Sequence, residues 1–269
     1  MAPSPVTARA HAFVDDLGEP RLSEADHHHL ARVLRLAAGA DITVGDGAGR
    51  WRAVRLTGSP ALEPLGDVVA DPQPQPGITV AFALVKGERP ELTVQKLTEL
   101  GADRIVPFVA ERSVVRWDEA KSTRQVDRLA AIAREAAMQC RRTWLPEVGP
   151  VATFAEAAAL PGAALADREG SPPSLAWPFV LVGPEGGWSP AEREVKLPRI
   201  RLSGHVLRAE TASITICGIL SALRDEIVAE VTGATARSGS VTSFMSYNAT
   251  DAFLGTLLVI VRAVDWCVE

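Results

Sequence analysis

Two different rhythms of apolar and polar positions run along this chain of 269 residues. Over residues 1–70 the apolar runs are short. "DITVGDGAGRWRAVRL" reads as two strands around a Gly-Asp-Gly-Ala-Gly turn, the second setting Arg50, Arg52 and Arg55 among Trp51, Val54 and Leu56. Before it, "LSEADHHHLARVLRL" places Ser23 as a helix N-cap, with Asp26 three residues on and Leu30, Val33 and Leu34 at helical spacing beside Arg32 and Arg35. This predicts a small, mainly β unit. The proline-rich "DPQPQPG", residues 71–77, reads as a linker and is the clearest domain boundary.

After it, strand-like and helix-like segments alternate. "ITVAFALV" is a continuous apolar run of the kind found in parallel strands covered on both faces. "PELTVQKLTELG" follows as a helix opened by Pro90 and stopped by Gly101. "RIVPFVA" is a strand, residues 119–142 a long helix, "AALA", "FVLV" and the short "RIRL" strands, and "TASITICGILSAL" a last buried helix. Alternation at this spacing predicts an α/β domain with a parallel sheet over residues 78–224. In such sheets ligands sit beyond the carboxyl ends of the strands.

A hydrophobic content of 47% supports real cores and a soluble globular protein. Cys140, Cys217 and Cys267 show no C-x-x-C spacing, which argues against a disulfide framework or zinc and favours a reducing cytoplasm. "MAPSPVTARAHAFVDD" lacks the apolar core of a signal peptide, and "AFLGTLLVIV" is about half the length that spans a bilayer, so no membrane role is expected. His27, His28 and His29 are consecutive. Neighbouring helical residues point about 100° apart and cannot converge on one ion, so no metal is expected there.

The net charge of -5 is uneven. Residues 112–142 carry eight basic and four acidic side chains, whereas residues 225–269 carry six acids and two bases. A local basic face is what phosphate binding requires, although a solvated, charge-laced helix has the same composition.

The candidate chemistry begins in "FVLVGPEGGWSPAER". Glycines at a strand-to-helix turn usually let the backbone approach a ligand closely, most often a phosphate on the helix N-terminus. Glu185 in the middle of this turn would repel phosphate, and the stretch matches neither phosphate-loop pattern. It suits an uncharged or cationic ligand, such as an adenosine carrying a sulfonium; the alternative is a tight turn with a solvated glutamate.

A second stretch, "LSGHVLRAETAS", lies about twenty residues on. With "HHLARVLRL", "KGERPELTVQKLTELG", "ERSVVRW", "EAAMQCRRTWLPEV" and "LVGPEGGWSPAE" it forms a series of six motifs covering most of residues 9–224. In this order they resemble the RsmE family of SPOUT (trefoil-knot) methyltransferases, which methylate N3 of a uridine in 16S ribosomal RNA of the small subunit with S-adenosylmethionine. The resemblance implies a PUA-like β-barrel at the N-terminus, a knotted α/β domain, a homodimer, and a cytoplasmic location. It assigns cofactor binding to Leu181, Val182, Gly183, Pro184, Glu185 and Gly186, and to Leu202, Ser203, Gly204, Val206 and Leu207. It implies RNA contacts at Arg32, Arg35, Arg89, Arg141 and Arg142.

For the chemistry, removing the N3 proton calls for a base or a cation that stabilises charge on a uracil carbonyl. Arg208 is the candidate for the second role, with Glu210 orienting it or taking the proton through water; an ion pair between the two that merely braces the fold is the alternative. Three departures stand out. Ser203 replaces the family's usual glycine and Ala209 its usual threonine. The segment between Glu192 and Leu202 is shorter than usual and contains Pro198, which implies a truncated helix there. Residues 225–269 have no counterpart in the family pattern. The rival classes are an RNA-binding protein that keeps the fold without the chemistry, which predicts a degraded pocket, and a nucleotide-dependent Rossmann enzyme, which predicts a G-x-G-x-x-G that is missing.

Overall fold

A computed structural model describes residues 3–87 and 89–229. Most of the C-terminal extension, from residue 230 onward, therefore lies outside the described residues.

The first unit is built on a five-stranded sheet. Its strands are β1 (His11–Phe13), β2 (Asp41–Gly45), β3 (Arg50–Leu56), β4 (Leu62–Pro64) and β5 (Val69–Ala70). β1 to β4 lie in chain order, with β5 added to β3. β2 and β3 pair antiparallel around the glycine turn, and alternate residues Ile42, Val44, Val54 and Leu56 meet Leu22 and Leu30 in the core. Helix α1 (Glu24–His28) starts where Ser23 accepts from the Asp26 N–H at 3.0 Å. It is shorter than the sequence predicts, because the chain continues as a π-helical turn over His29–Val33.

The second unit is α/β. Its strands are β6 (Thr79–Ala83), β7 (Arg104–Val109), β8 (Glu147–Val148), β9 (Ala152–Thr153), β10 (Ala163–Ser171), β11 (Phe179–Val182) and β12 (Arg199–Ile200). They form one sheet ordered β12-β10-β11-β6-β7-β8, with β9 also on β7, and every pairing is parallel. The helices are α2 (Arg89–Glu99), α3 (Glu119–Cys140), α4 (Phe154–Ala158), α5 (Pro190–Glu194) and α6 (Ala209–Arg224). Alternation along β6 divides the core. Val80 and Phe82 face Val94 and Leu97 of α2, Leu129 of α3, and Ile216 and Leu220 of α6. Ala81 and Ala83 face Phe108, Leu165, Leu181 and Trp188 on the other side. Burial on both faces is why these strands read as unbroken apolar runs.

The two units are joined by polar contacts of α3. Arg134 gives two hydrogen bonds to the Asp26 carboxylate, at 3.1 and 2.7 Å, and a third to the Phe13 carbonyl at 3.1 Å. Burial acts to raise the Asp26 pKa, but the hydrogen bonds from Arg134 and Ser23 outweigh it and hold the carboxyl below its ordinary 3.8. A second contact is the β2–β3 turn, where Gly49 has a φ of +85° and a β-carbon would lie 2.4 Å from Trp144. Only glycine permits both. No helix among the described residues is long and apolar enough to cross a membrane.

Candidate active site

Three parallel strands, β10, β11 and β12, end on the same side of the sheet, and the loops that leave them enclose a cavity of about 190 Å³. This is where the carboxyl ends of an α/β sheet place a ligand. Its walls are Ala166, Asp167 and Arg168 from β10, residues 182–185, 187 and 188 after β11, Ile200, Leu202, Ser203, His205, Val206 and Leu207 around and after β12, and Ala209 and Ala212 from α6, with Arg193 of α5 at one edge.

The turn after β11 is held from both sides. Gly183 passes so close to Trp188 that a β-carbon would sit 3.0 Å from the indole ring. The indole is in turn fixed, donating Nε1–H to the Ala166 carbonyl at 2.9 Å and stacking on Phe108 at 6.2 Å between centroids. Ser189 then starts α5 with a capping box: its hydroxyl accepts from the Glu192 N–H at 3.2 Å, and the Glu192 carboxylate accepts from the Ser189 N–H at 2.8 Å. The same carboxylate accepts from the Glu111 N–H at 2.8 Å, tying α5 to the loop after β7. The helix stops at Glu194, ahead of Pro198, as the shortened segment predicts.

Charge at the turn is balanced by one arginine. Arg89, at the start of α2, is hydrogen-bonded to Glu185 and lies 3.7 Å from Glu210. Glu185 is therefore neither free nor aimed at a phosphate. Glu210 is largely buried, and its Oε2 has no hydrogen-bond partner.

Of the cofactor residues expected from sequence, Val182, Gly183, Pro184, Glu185, Leu202, Ser203, Val206 and Leu207 line the cavity. Leu181, Gly186 and Gly204 do not. Leu181 is fully buried in the opposite core, and the Gly186 carbonyl accepts from Arg112 at 3.0 Å. Arg208 caps α6 through its backbone and is exposed, and among the described residues its guanidinium has no ion-pair partner. It does not pair with Glu210, so an Arg208–Glu210 brace is absent; Arg89 holds that glutamate instead.

The expected RNA-contact arginines separate. Arg32 and Arg35 are exposed on the π-helical turn and just after it. Arg141 donates one hydrogen bond to the Val6 carbonyl at 2.6 Å. Two are paired within the protein. Arg142 is mostly buried, bonded to the carbonyls of Thr98 and Ala102 at 3.0 and 2.8 Å and to Asp103 at 3.2 Å, where Arg224 also binds at 2.6 Å. Burial lowers its pKa against the pull of Asp103. Arg89 is held between two carboxylates.

Asp167, Trp188 and Arg193 also line the cavity, and no local sequence signal marks them. Their roles depend on β10 lying beside both β11 and β12, which no local pattern encodes.

Comparison with known proteins accords with this geometry. A family model described as "RNA methyltransferase domain" matches residues 71–221, more than half of the chain, and another described as "RNA methyltransferase PUA domain" matches residues 22–61. Ribosomal RNA small subunit methyltransferase E of Mycobacterium bovis is 31% identical over 233 residues, spanning 77% of this chain and 88% of its own. The chain belongs to the RsmE family. Its counterpart in Synechocystis is 33% identical over 223 residues, spanning 75% of this chain and 72% of its own. The crystal structure of the Neisseria gonorrhoeae enzyme, solved with S-adenosyl methionine bound, superposes with a TM-score of 0.69 at 26% identity, covering 80% of this chain and 97% of that one. The RsmE signature in this chain is thus carried by an α/β fold preceded by a PUA-type domain.

Proposed function

We propose that this chain methylates N3 of a uridine in 16S ribosomal RNA of the small ribosomal subunit, with S-adenosylmethionine as methyl donor. The observation that carries the reading is the cavity at the ends of β10, β11 and β12, walled by two glycine-containing turns in an RsmE-family chain. The donor suits these walls. Val182, Ile200, Leu202 and Leu207 offer an apolar surface to a purine, and Glu185 in the turn disfavours a phosphorylated ligand. Bound there, the donor supplies an electrophilic methyl group.

The chain's own side chains supply the rest. N3 of uridine carries a proton and lies on the Watson–Crick edge, so the base is presented unpaired or flipped. Arg208, exposed beside the cavity, offers a fork of permanent donors to a uracil carbonyl as it gains charge. Glu210, with one carboxylate oxygen unpartnered and the other 3.7 Å from Arg89, receives the imide proton through water or orients Arg208. Arg32, Arg35 and Arg141 hold phosphates and position the RNA without reading its sequence.

The finer architecture belongs to the same reading: residues 1–70 as a PUA-like barrel that docks RNA, residues 71–77 as the linker, residues 78–224 as a trefoil-knotted catalytic domain, a homodimer as the working unit, and the cytoplasm as its place. The test is transfer of a labelled methyl group from S-adenosylmethionine to small ribosomal subunits and to naked 16S RNA. Label in RNA supports the reading; binding of RNA without transfer would favour a non-catalytic RNA-binding protein.

A further inference from the structure

Asp167 is the least explained group in the cavity. It lies in β10, one residue past the Ala166 carbonyl that anchors Trp188, and its side chain is only 3% exposed. Oδ1 accepts from the Glu169 N–H at 3.2 Å. Oδ2 is buried and has no hydrogen-bond partner. A buried carboxylate oxygen without a donor is costly and is retained where something else supplies the donor.

The surroundings narrow down what that donor is. Arg193 Nη2 stands 3.8 Å from Oδ2, too far for a hydrogen bond but close enough to balance the charge. What Oδ2 lacks is a proton donor, not a cation. A second cation beside the Arg193 guanidinium would crowd two positive groups around one carboxylate, whereas a neutral hydroxyl completes its hydrogen bonding at no electrostatic cost. Buried carboxylates at the carboxyl end of a parallel strand engage ribose hydroxyls in the same way in dinucleotide-binding sheets.

We propose that Asp167 is a positioning residue that accepts hydrogen bonds from the ribose hydroxyls of the nucleoside donor, and so selects a ribonucleoside over its deoxy counterparts. This rests on the functional reading above, and the experiment separates the two. Binding of S-adenosylhomocysteine and of methylthioadenosine, which keeps the ribose and lacks the amino-acid end, is measured by calorimetry on the full chain and on Asp167→Asn. The 2′-deoxy and 3′-deoxy forms of methylthioadenosine are titrated into the wild-type chain. The expected result is that Asp167→Asn weakens both ribose ligands by a similar factor, about tenfold or more, as for loss of a hydrogen bond to a charged group. At least one deoxy form should bind the wild-type chain correspondingly less tightly, an outcome that does not depend on the variant folding. Weakening confined to S-adenosylhomocysteine would move Asp167 to the amino-acid end and overturn the inference, as would deoxy ligands that bind like their parent. If the wild-type chain binds none of these compounds, the functional reading falls and the inference with it; if it binds them and Asp167→Asn is unaffected, the inference alone falls.

Discussion

Trp188 donates its indole N–H to the carbonyl oxygen of Ala166, and this one bond fixes the turn after β11 against the middle of the neighbouring strand β10. Gly183 lies under the same ring, where a β-carbon would stand 3.0 Å from it. Gly183→Ala is therefore expected to displace the indole, lengthen the bond to Ala166, and weaken S-adenosylhomocysteine binding by more than tenfold. Gly186 is different. A β-carbon there would meet the Arg112 side chain at 3.4 Å and does not face the cavity. Gly186→Ala should change affinity less than about threefold, because an ordinary van der Waals contact is all that it adds. Calorimetric titration of the two variants checks the contrast, and equal losses would shift the pocket toward Gly186.

Arg208 carries the chemical part of the reading. Its side chain has no ion-pair partner among the described residues, so removing it should leave the fold intact. Arg208→Ala is expected to bind S-adenosylhomocysteine as the wild type does while single-turnover methylation slows by about two to three powers of ten, the range for loss of one charge-stabilising donor. Rapid-quench measurement at saturating RNA distinguishes this from a binding defect.

The first unit contains a pH-sensitive group. His11 is buried, its Nδ1 is 2.9 Å from Thr43 Oγ1, and Nε2 has no partner. Burial lowers its pKa from 6.5 to about 4, helped by Arg141 and opposed by Asp71. Because the folded chain resists protonation that the unfolded chain accepts below pH 6.5, stability should fall as pH drops from 6.5 to about 4, by up to roughly 3 kcal/mol in total. Urea unfolding at pH 7 and pH 5 should show the drop, and His11→Asn, which cannot titrate, should flatten it.

The arginines divide into structural and RNA-facing groups, and salt distinguishes them. Asp103 lies between the mostly buried guanidinium groups of Arg142 and Arg224. Asp103→Asn removes the carboxylate that Arg142 pairs with and leaves Arg224, among the described residues, only the Asp225 carboxylate at 3.4 Å, and is expected to cost about 3–5 kcal/mol of stability, read as a lowered urea midpoint. Arg32→Ala should leave that midpoint unchanged but reduce the salt dependence of RNA binding by about one phosphate contact.

How much of this was legible in the sequence depended on where the stabilising partners lay. β6 and β11 could be read directly because burial on both faces makes their sequences uniformly apolar, and α5 because Ser189, Pro190 and Glu192 fix its start by local bonds. Only the first four residues of β10 carry an apolar strand pattern. The strand runs on to Ser171 through Asp167, Arg168 and Glu169, polar positions that carry no strand pattern and lie in a register shift between the pairings of Ala166 and Ser171 with Ile200 of β12. The basic run over residues 112–142 had the composition of an RNA face, yet Arg134 and Arg142 are held by Asp26 and Asp103, both distant in sequence. Arg89 likewise reads as a solvent-facing cation until α2 is placed against Glu185 and Glu210.

The central claim is methyl transfer to N3 of uridine, and its most direct test is mass spectrometry of the nucleosides from 16S RNA. Small ribosomal subunits are incubated with the chain and isotope-labelled S-adenosylmethionine, and the RNA is digested completely. Labelled 3-methyluridine is expected as the one new nucleoside, at no more than one per RNA, and to accumulate about two to three powers of ten more slowly when Arg208 is replaced by alanine. Label in a different nucleoside, or subunits that bind the chain and stay unlabelled, would contradict it.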